Sequence, residues 1–280
     1  MILKGRRIVP VTVKDESAPI VERGEVVVSP SPVSFLGGVD PHTGTITDGE
    51  AKGKSVAGKV FVFPEGRGST VGSYVMYGLR RYGNAPAAII NRRSEIIVTV
   101  GAIISETPLF DGMDTSLFMD GDTVSFRADG TVEIHGVDVV DAVTTIVRNG
   151  DRILLLKRSD KVGSCRGRWA GVSGHVEPED KSLSDRAIIE INEETGMHPE
   201  SIKEGPVLAI RDTCGEKMRV WRIHTFLADV RDEDVAQMGI DWEHTEYRWV
   251  RPEEIGNYDT VPRLADVVKL LLSRFQKFTP

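Results

Sequence analysis

Short Val- and Ile-rich runs set between Gly and Pro dominate the first half of the chain. Those at 25–29, 58–63, 87–90, 96–100 and 123–126 predict strands, and a single helix stands out among them. It follows Glu65-Gly66-Arg67-Gly68-Ser69-Thr70, carries Val71, Tyr74, Val75 and Leu79 at helical spacing, and is stopped by Gly83. The N-terminal MILKGRRIVPVTV has basic residues but no apolar core ahead of a cleavage site, so a strand of the mature protein is expected there. In the second half, apolar runs at 141–148 and 152–157 joined across Asn149-Gly150 predict a hairpin. Further strands are expected at 207–212 and 219–230, and a closing helix over 262–273 with Leu264, Val268 and Leu271 inward.

One helix of the second half carries chemistry. From Leu183 the apolar residues Leu183, Ala187 and Ile191 recur every four positions with Ile188 beside them, and Gly196 ends the pattern. The opposite face reads as acidic. Glu190, Glu193 and Glu194 stand at i, i+3 and i+4, so their carboxylates repel by roughly 0.2–0.5 kcal/mol per pair unless a cation sits between them. A hard divalent ion, held by a few carboxylates and the oxygens of a substrate phosphate, reverses that sign. An acidic face in contact with water alone is the competing reading.

The glycine-rich stretch of the first half is the other candidate. A strand, a Gly-rich turn and a helix start bring N–H groups and the positive end of a helix dipole together, which favours an anion. Arg67 adds a planar cation, and Ser69, Thr70 and Ser73 add hydroxyls. The run has no Gly-Lys-Ser/Thr ending and is not a Walker loop. A Gly-rich turn with a Ser cap and no ligand is an equal reading. Asp40 and His42, in the Gly/Pro-rich loop 37–44, are within reach of the same cleft but are more ordinary as turn residues.

Composition narrows the setting. At 280 residues the chain has room for two domains of about 140. Its net charge of −7 offers no footprint for nucleic acid, and no stretch approaches the ~18 apolar residues that span a bilayer. The cysteines are Cys165 and Cys214, too few for a disulfide framework or a thiolate-held cluster, so a cytoplasmic setting is the default expectation.

The stretch 174–197 resembles the Nudix hydrolase box, on Gly174, Glu190, Ile191, Glu193, Glu194, Gly196 and Met197. One extra residue lies between Gly174 and Ser182, leaving the first acid of the box on Glu179 or Asp180. The box arginine is replaced by Ile189, and Arg186, at i−4 to Glu190, is placed to serve instead. The resemblance runs to about residue 272. It implies an α/β/α sandwich over 137–280 and hydrolysis of a diphosphate-containing substrate with Mg²⁺ or Mn²⁺. The metal is expected on Glu190, Glu194, Glu193 and Gly174, with Glu193 as third ligand or base. Glu243 and Glu246, in DWEHTEYRWV, are candidates for a further metal carboxylate. Arg158 and Arg168, with Lys161 and Arg166, suit a polyphosphate, or are a solvated basic loop. Nudix isomerases of isoprenoid diphosphates carry a catalytic Cys where this chain has Ser173, which sets that activity low.

The text of the first half, SPSPVSFLGGVDPHTGTI, GKVFVFPEGRGSTVGSYVMYGL and NAPAAIINRRSEIIVTVGAIISETPLFDG, resembles the aconitase X swivel domain, the small subunit of archaeal phosphomevalonate dehydratase. The resemblance implies a swivelling β/β/α domain over 1–136 that closes on a substrate held by a separate large subunit. That subunit carries the iron–sulfur cluster; this half has no cysteine to hold one. Ser69 is implied as proton acceptor. Arg67, with Gly68 and Thr70, would hold a substrate carboxylate or phosphate. The expected whole is a two-domain α/β fusion: part of a hydro-lyase for 5-phosphomevalonate or another small hydroxy acid, then a Nudix hydrolase. In the alternative the first half is only a docking module. Partners would be the large subunit and small phosphorylated substrates, with no nucleic acid and no membrane.

Overall fold

The computed structural model describes residues 1–9, 22–127, 129–215 and 218–275. The chain divides into two compact units, Met1–Val137 and Asp138–Pro280. Residues 10–13 of the expected N-terminal strand lie outside the described residues; the rest of it forms two strands, β1 (Ile2–Lys4) and β2 (Arg6–Val9). The break is at Gly5, where a Cβ would stand 2.7 Å from the Asp111 carbonyl oxygen.

The first unit continues with β3 (Glu22–Val28), β4 (Val60–Phe63), α1 (Gly72–Arg81), β5 (Ala88–Asn91), α2 (Ile96–Ile104), β6 (Leu109–Asp111), β7 (Thr123–Phe126) and β8 (Thr131–Ile134). Its sheet runs β1-β8-β7-β3-β4-β5-β6-β2, so strands adjacent in sequence at Gly5 occupy its two ends. The β3–β6 part is parallel. Phe61, Phe63 and Ile89 pack with Met76 and Leu79 of α1 and Val98 and Ala102 of α2 into one core.

The run at 96–100, expected as a strand, is the start of α2. Its β-branched residues disfavour a helix by only about 0.5 kcal/mol each, and two local features overcome that. Glu95 caps the helix, accepting from the N–H groups of Ile97 and Val98 at 2.6 and 2.9 Å. Gly101 then lets α2 approach α1 so closely that a Cβ would lie 2.3 Å from Met76 Sδ.

The second unit comprises β9 (Asp138–Asn149), β10 (Arg152–Arg158), β11 (Trp169–Ala170), β12 (Val172–His175), α3 (Leu183–Thr195), β13 (Ser201–Arg211), β14 (Arg219–Asp229), α4 (Asp232–Ala236), β15 (His244–Val250) and α5 (Leu264–Phe275). β9 is its axis: it pairs in parallel with β14, antiparallel with β12, and through the Asn149-Gly150 turn with β10. Side chains alternate across the sheet. Ile146, Ile153 and Leu155 pack under Leu264, Val268 and Leu271 of α5, while Val147, Leu154 and Leu156 pack under Ile191 and Met197 at α3. The result is a sheet covered on both faces by helices.

At the start of β9, the Asp141 carboxylate accepts from the Arg222 guanidinium and lies 2.8 Å from His224 Nε2, joining β9 to β14. The Arg222 hydrogen bonds hold its pKa down at about 2, with His224 adding to the effect. Because the folded value lies below the unfolded one of 3.8, this contact stabilises the fold above pH 4 and is lost as pH falls through about 2. Asp141→Asn is therefore expected to lose at most about 2 kcal/mol at pH 7 and almost nothing near pH 2. Urea denaturation at both pH values checks it; an equal loss at each contradicts the assignment.

Candidate functional site

In the second unit, α3 begins at Ser182, whose hydroxyl accepts from Asp185 N–H, and ends at Gly196 with φ +71°. Glu190 and Glu194 do not lie opposite the apolar stripe. They are buried on it, in line with Ala187 and Ile191 and facing β12, while Glu193 is 61% exposed. Gly174 makes room for this: a Cβ there would stand 1.5 Å from Glu190 Oε1. Ser173 N–H donates to Glu194 Oε1 at 3.0 Å. Arg186 bonds the Glu190 carboxylate from one turn earlier, as its i−4 spacing predicts, and reaches Glu193 Oε2 at 3.7 Å. Asp180, the acid that bears on Arg186, closes a turn on Glu177 N–H.

Burial pushes the Glu194 carboxyl well above the usual range, and the charges of Glu190, Asp241 and Glu243 push the same way. Burial also raises Glu190, against the pull of Arg186. Among the described residues no three acidic, His or Cys side chains converge closely enough to hold a metal as they stand. The expected set of Glu190, Glu193, Glu194 and Gly174 is therefore not assembled, because Arg186 takes the Glu190 carboxylate and Glu193 reaches into solvent. The donors nonetheless suit a hard cation: they are carboxylate oxygens, and Glu194 Oε2 is buried without a hydrogen-bond partner.

Beside these acids, between the sheet and α5, lies a cavity of about 180 Å³. Ala142, Ile210, Ile223 and Leu264 form its apolar wall, and Arg158, Ser173 and Glu243 its polar mouth. A wider hollow of about 880 Å³ adjoins it, bearing Lys161, Arg166, Arg168 and Arg219 with Trp221 and Trp242. Of the two candidate acids of the β15 segment, Glu243 is at this mouth, whereas Glu246 pairs with Lys157 and Arg248. Burial lowers the Arg158 pKa, and Glu194 and Glu243 work against that. The two cysteines, too few for a framework, form one crosslink: Cys165–Cys214 ties the loop after β10 to the β13–β14 turn, two walls of the wider hollow. Sequence spacing carried no sign of it, since 49 positions separate the pair.

In the first unit, residues 65–71 lead into α1. The N-cap is Val71 and not a serine; Ser69 Oγ accepts from Val71 N–H at 3.3 Å, just outside the helix. The N–H groups of Gly72, Ser73 and Tyr74 bond the carbonyls of Ser69, Thr70 and Val71. Ser73 is buried on Ile97 O and adds no hydroxyl to the surface, whereas Arg67, Gly68, Ser69 and Thr70 are exposed together. Arg67 lies 3.9 Å from Asp48. Ser34, missed by sequence reading, lines the same turn, with its Oγ 2.8 Å from a Cβ placed on Gly68. Asp40 accepts from His42 N–H and Thr43, and the His42 ring lies 4.0 Å from Tyr82, so both serve the turn.

The first unit is a mixed α/β sheet with a serine-bearing glycine turn, and the second a sheet between helices with carboxylates buried on one of them. The aconitase X swivel domain family matches residues 14–134 and the NUDIX domain family residues 139–271. The chain belongs to the aconitase X swivel-domain family through its first unit, and its second unit matches the NUDIX domain family model. The phosphomevalonate dehydratase small subunit of Thermococcus onnurineus is 50% identical over 138 residues, 48% of this chain and 99% of that protein. A crystal structure of Thermococcus kodakaraensis aconitase X in its holo-form is 51% identical, with TM-score 0.43, covering 48% of this chain and 98% of that one. A MutT protein from Methanosarcina mazei is 28% identical, with TM-score 0.39, covering 50% and 97%. No described helix is long and apolar enough to cross a membrane.

Closing a loop of this length is worth about 2–4 kcal/mol in the unfolded chain. Cys214→Ser is expected to lose that amount in urea titrations, and dithiothreitol should destabilise the parent but not the variant. Equal stability of parent and variant would contradict the crosslink.

Proposed function

We propose that this chain couples the small-subunit half of a hydro-lyase to a divalent-metal-dependent hydrolase of a diphosphate-containing substrate. For the first unit the reading rests on the exposed Arg67–Thr70 turn and on half-chain identity to proteins named phosphomevalonate dehydratase small subunit. 5-Phosphomevalonate is the proposed substrate, and a separate large subunit bearing an iron–sulfur cluster the proposed partner. A cluster on that partner would supply Lewis acidity toward the substrate hydroxyl. Ser69 would take the proton from the neighbouring carbon, its oxygen eased toward the anion by Val71 N–H. Arg67, with Gly68 and Thr70, would hold a carboxylate or phosphate. Tyr74, Tyr77, Ile96, Val100 and Ile103 leave an exposed apolar face on α1 and α2 suited to the large subunit.

For the second unit the carrying observation is Glu194 Oε2, buried without a hydrogen bond on a carboxylate whose charge acts on Arg158. Glu194, Glu190 and Gly174, with Glu243, would hold Mg²⁺ or Mn²⁺ once Glu190 is shared with or released from Arg186. The ion supplies charge neutralisation on phosphoryl oxygens and acidifies water. Glu193, exposed on the same helix, is the proposed base, or a third ligand. Arg158 and Arg168 bind the diphosphate, a setting consistent with cytoplasmic metabolites.

Ser69→Ala is expected to abolish dehydration by the complex reconstituted with a large subunit, without loosening association in sedimentation. Near-normal kcat would remove Ser69 from the role. Glu194→Gln is expected to lower metal-dependent phosphate release by about a hundredfold or more, while melting no lower than the parent without metal. Turnover at the parent's rate would leave the acids as a structural feature only.

A further inference from the structure

The turn before β15 lies over the last turn of α3. Gly239 N–H donates to Thr195 O at 3.1 Å and Asp241 N–H to Glu194 O at 3.2 Å, so the turn is fastened to the helix at the residue that bears the buried carboxylate. Within the turn, Asp241 Oδ1 accepts Glu243 N–H at 3.1 Å and lies 2.9 Å from His244 Nδ1. The other ring nitrogen, Nε2, lies 3.6 Å from Glu194 Oε2. The imidazole is 2% exposed and the Glu194 side chain 5%, so the ring stands buried between two carboxylates, hydrogen-bonded to Asp241 and within ion-pair distance of Glu194.

A histidine kept in a core for its volume has no need of an acid on each nitrogen. Here one acid is Asp241, whose other contact sets the backbone of Glu243, and the second is Glu194, whose Oε1 is already fixed by Ser173 N–H. Arg158, whose charge acts on His244, lines the cavity with Glu243. We propose that His244, oriented by Asp241, is the positioning residue of the acidic site: it sets the rotamer of Glu194 and, through the same turn, the direction in which Glu243 enters the cavity. The inference rests on the reading of these acids as metal-binding. Groups standing behind metal ligands in this way change metal affinity by about 10–100-fold when removed.

The test is Mn²⁺ affinity of the full chain, measured by electron paramagnetic resonance alongside the melting temperature without metal. His244→Phe keeps the ring volume and removes both nitrogens; its Kd for Mn²⁺ should rise about 10–100-fold. His244→Gln, whose amide still reaches Glu194, should recover most of that loss. Asp241→Asn leaves the ring in place but removes its anionic anchor, and should weaken binding about tenfold; it also serves if the Phe variant does not fold. Parent-like Kd in His244→Phe or, failing that protein, in Asp241→Asn overturns the proposal. If the parent itself binds no Mn²⁺, the metal reading of the acids falls and this inference with it. Mn²⁺ bound equally by parent and variants leaves the metal reading standing and removes His244.

Discussion

Two carboxylates buried side by side on α3 are the constraint around which the second unit is arranged. Glu190 and Glu194 lie on the stripe that packs against β12, where loss of water costs each several kcal/mol unless it is partnered. Nearly every local departure from an ordinary helix–sheet contact answers that cost. Residue 174 has no side chain, so that the Glu190 carboxylate can lie against it. Arg186 neutralises Glu190, Ser173 N–H serves one oxygen of Glu194, and the turn from Gly239 to His244 closes over the other. Glu194 Oε2 is left buried without a hydrogen bond, and the charge of Glu194 acts on Arg158, which lines the cavity. A fold that spends so many contacts on holding two acids in its core retains them for something other than stability.

The first unit solves a different problem with the same materials. Its reactive candidates are on the surface, on a turn made narrow by glycine: a Cβ on Gly66 would meet Glu95 Oε1 at 2.2 Å, and Gly68 has φ +98°. Glu95 is also the cap of α2, so the residue that starts one helix supports the turn that leads into the other. The turn follows β4, which pairs with β5, and the Arg67–Thr70 segment is exposed rather than enclosed.

Most of this architecture was legible as pattern. β9, β10, β14 and the end of β13, the Asn149-Gly150 hairpin, the length of α3 and the inward residues of α5 followed from periodicity and end signals, whereas β11, β12 and the first half of β13 did not; the i−4 spacing of Arg186 foretold its contact with Glu190. Three things were not. Charge alone puts Glu190 and Glu194 opposite the apolar stripe with Glu193, but a helix can bury a carboxylate if Gly174 and an arginine receive it. The run at 96–100 looked like a strand because its β-branched residues are frequent there, but Glu95 and the close packing at Gly101 decide for a helix. The Cys165–Cys214 link depends on two loops meeting in space, which spacing along a chain does not encode. His244 stood in plain view three residues after Asp241, yet only the fold brings Glu194 to its other nitrogen.

The central claim is that the buried acids are a cation site. Its most direct test is a crystal of the full chain soaked in manganese and recorded at the manganese absorption edge. The account predicts an anomalous peak bonded to the Glu194 carboxylate, with Glu190 released from Arg186 or sharing it. Clear density for the α3 carboxylates in their present contacts, with no anomalous peak at Glu194, would contradict it.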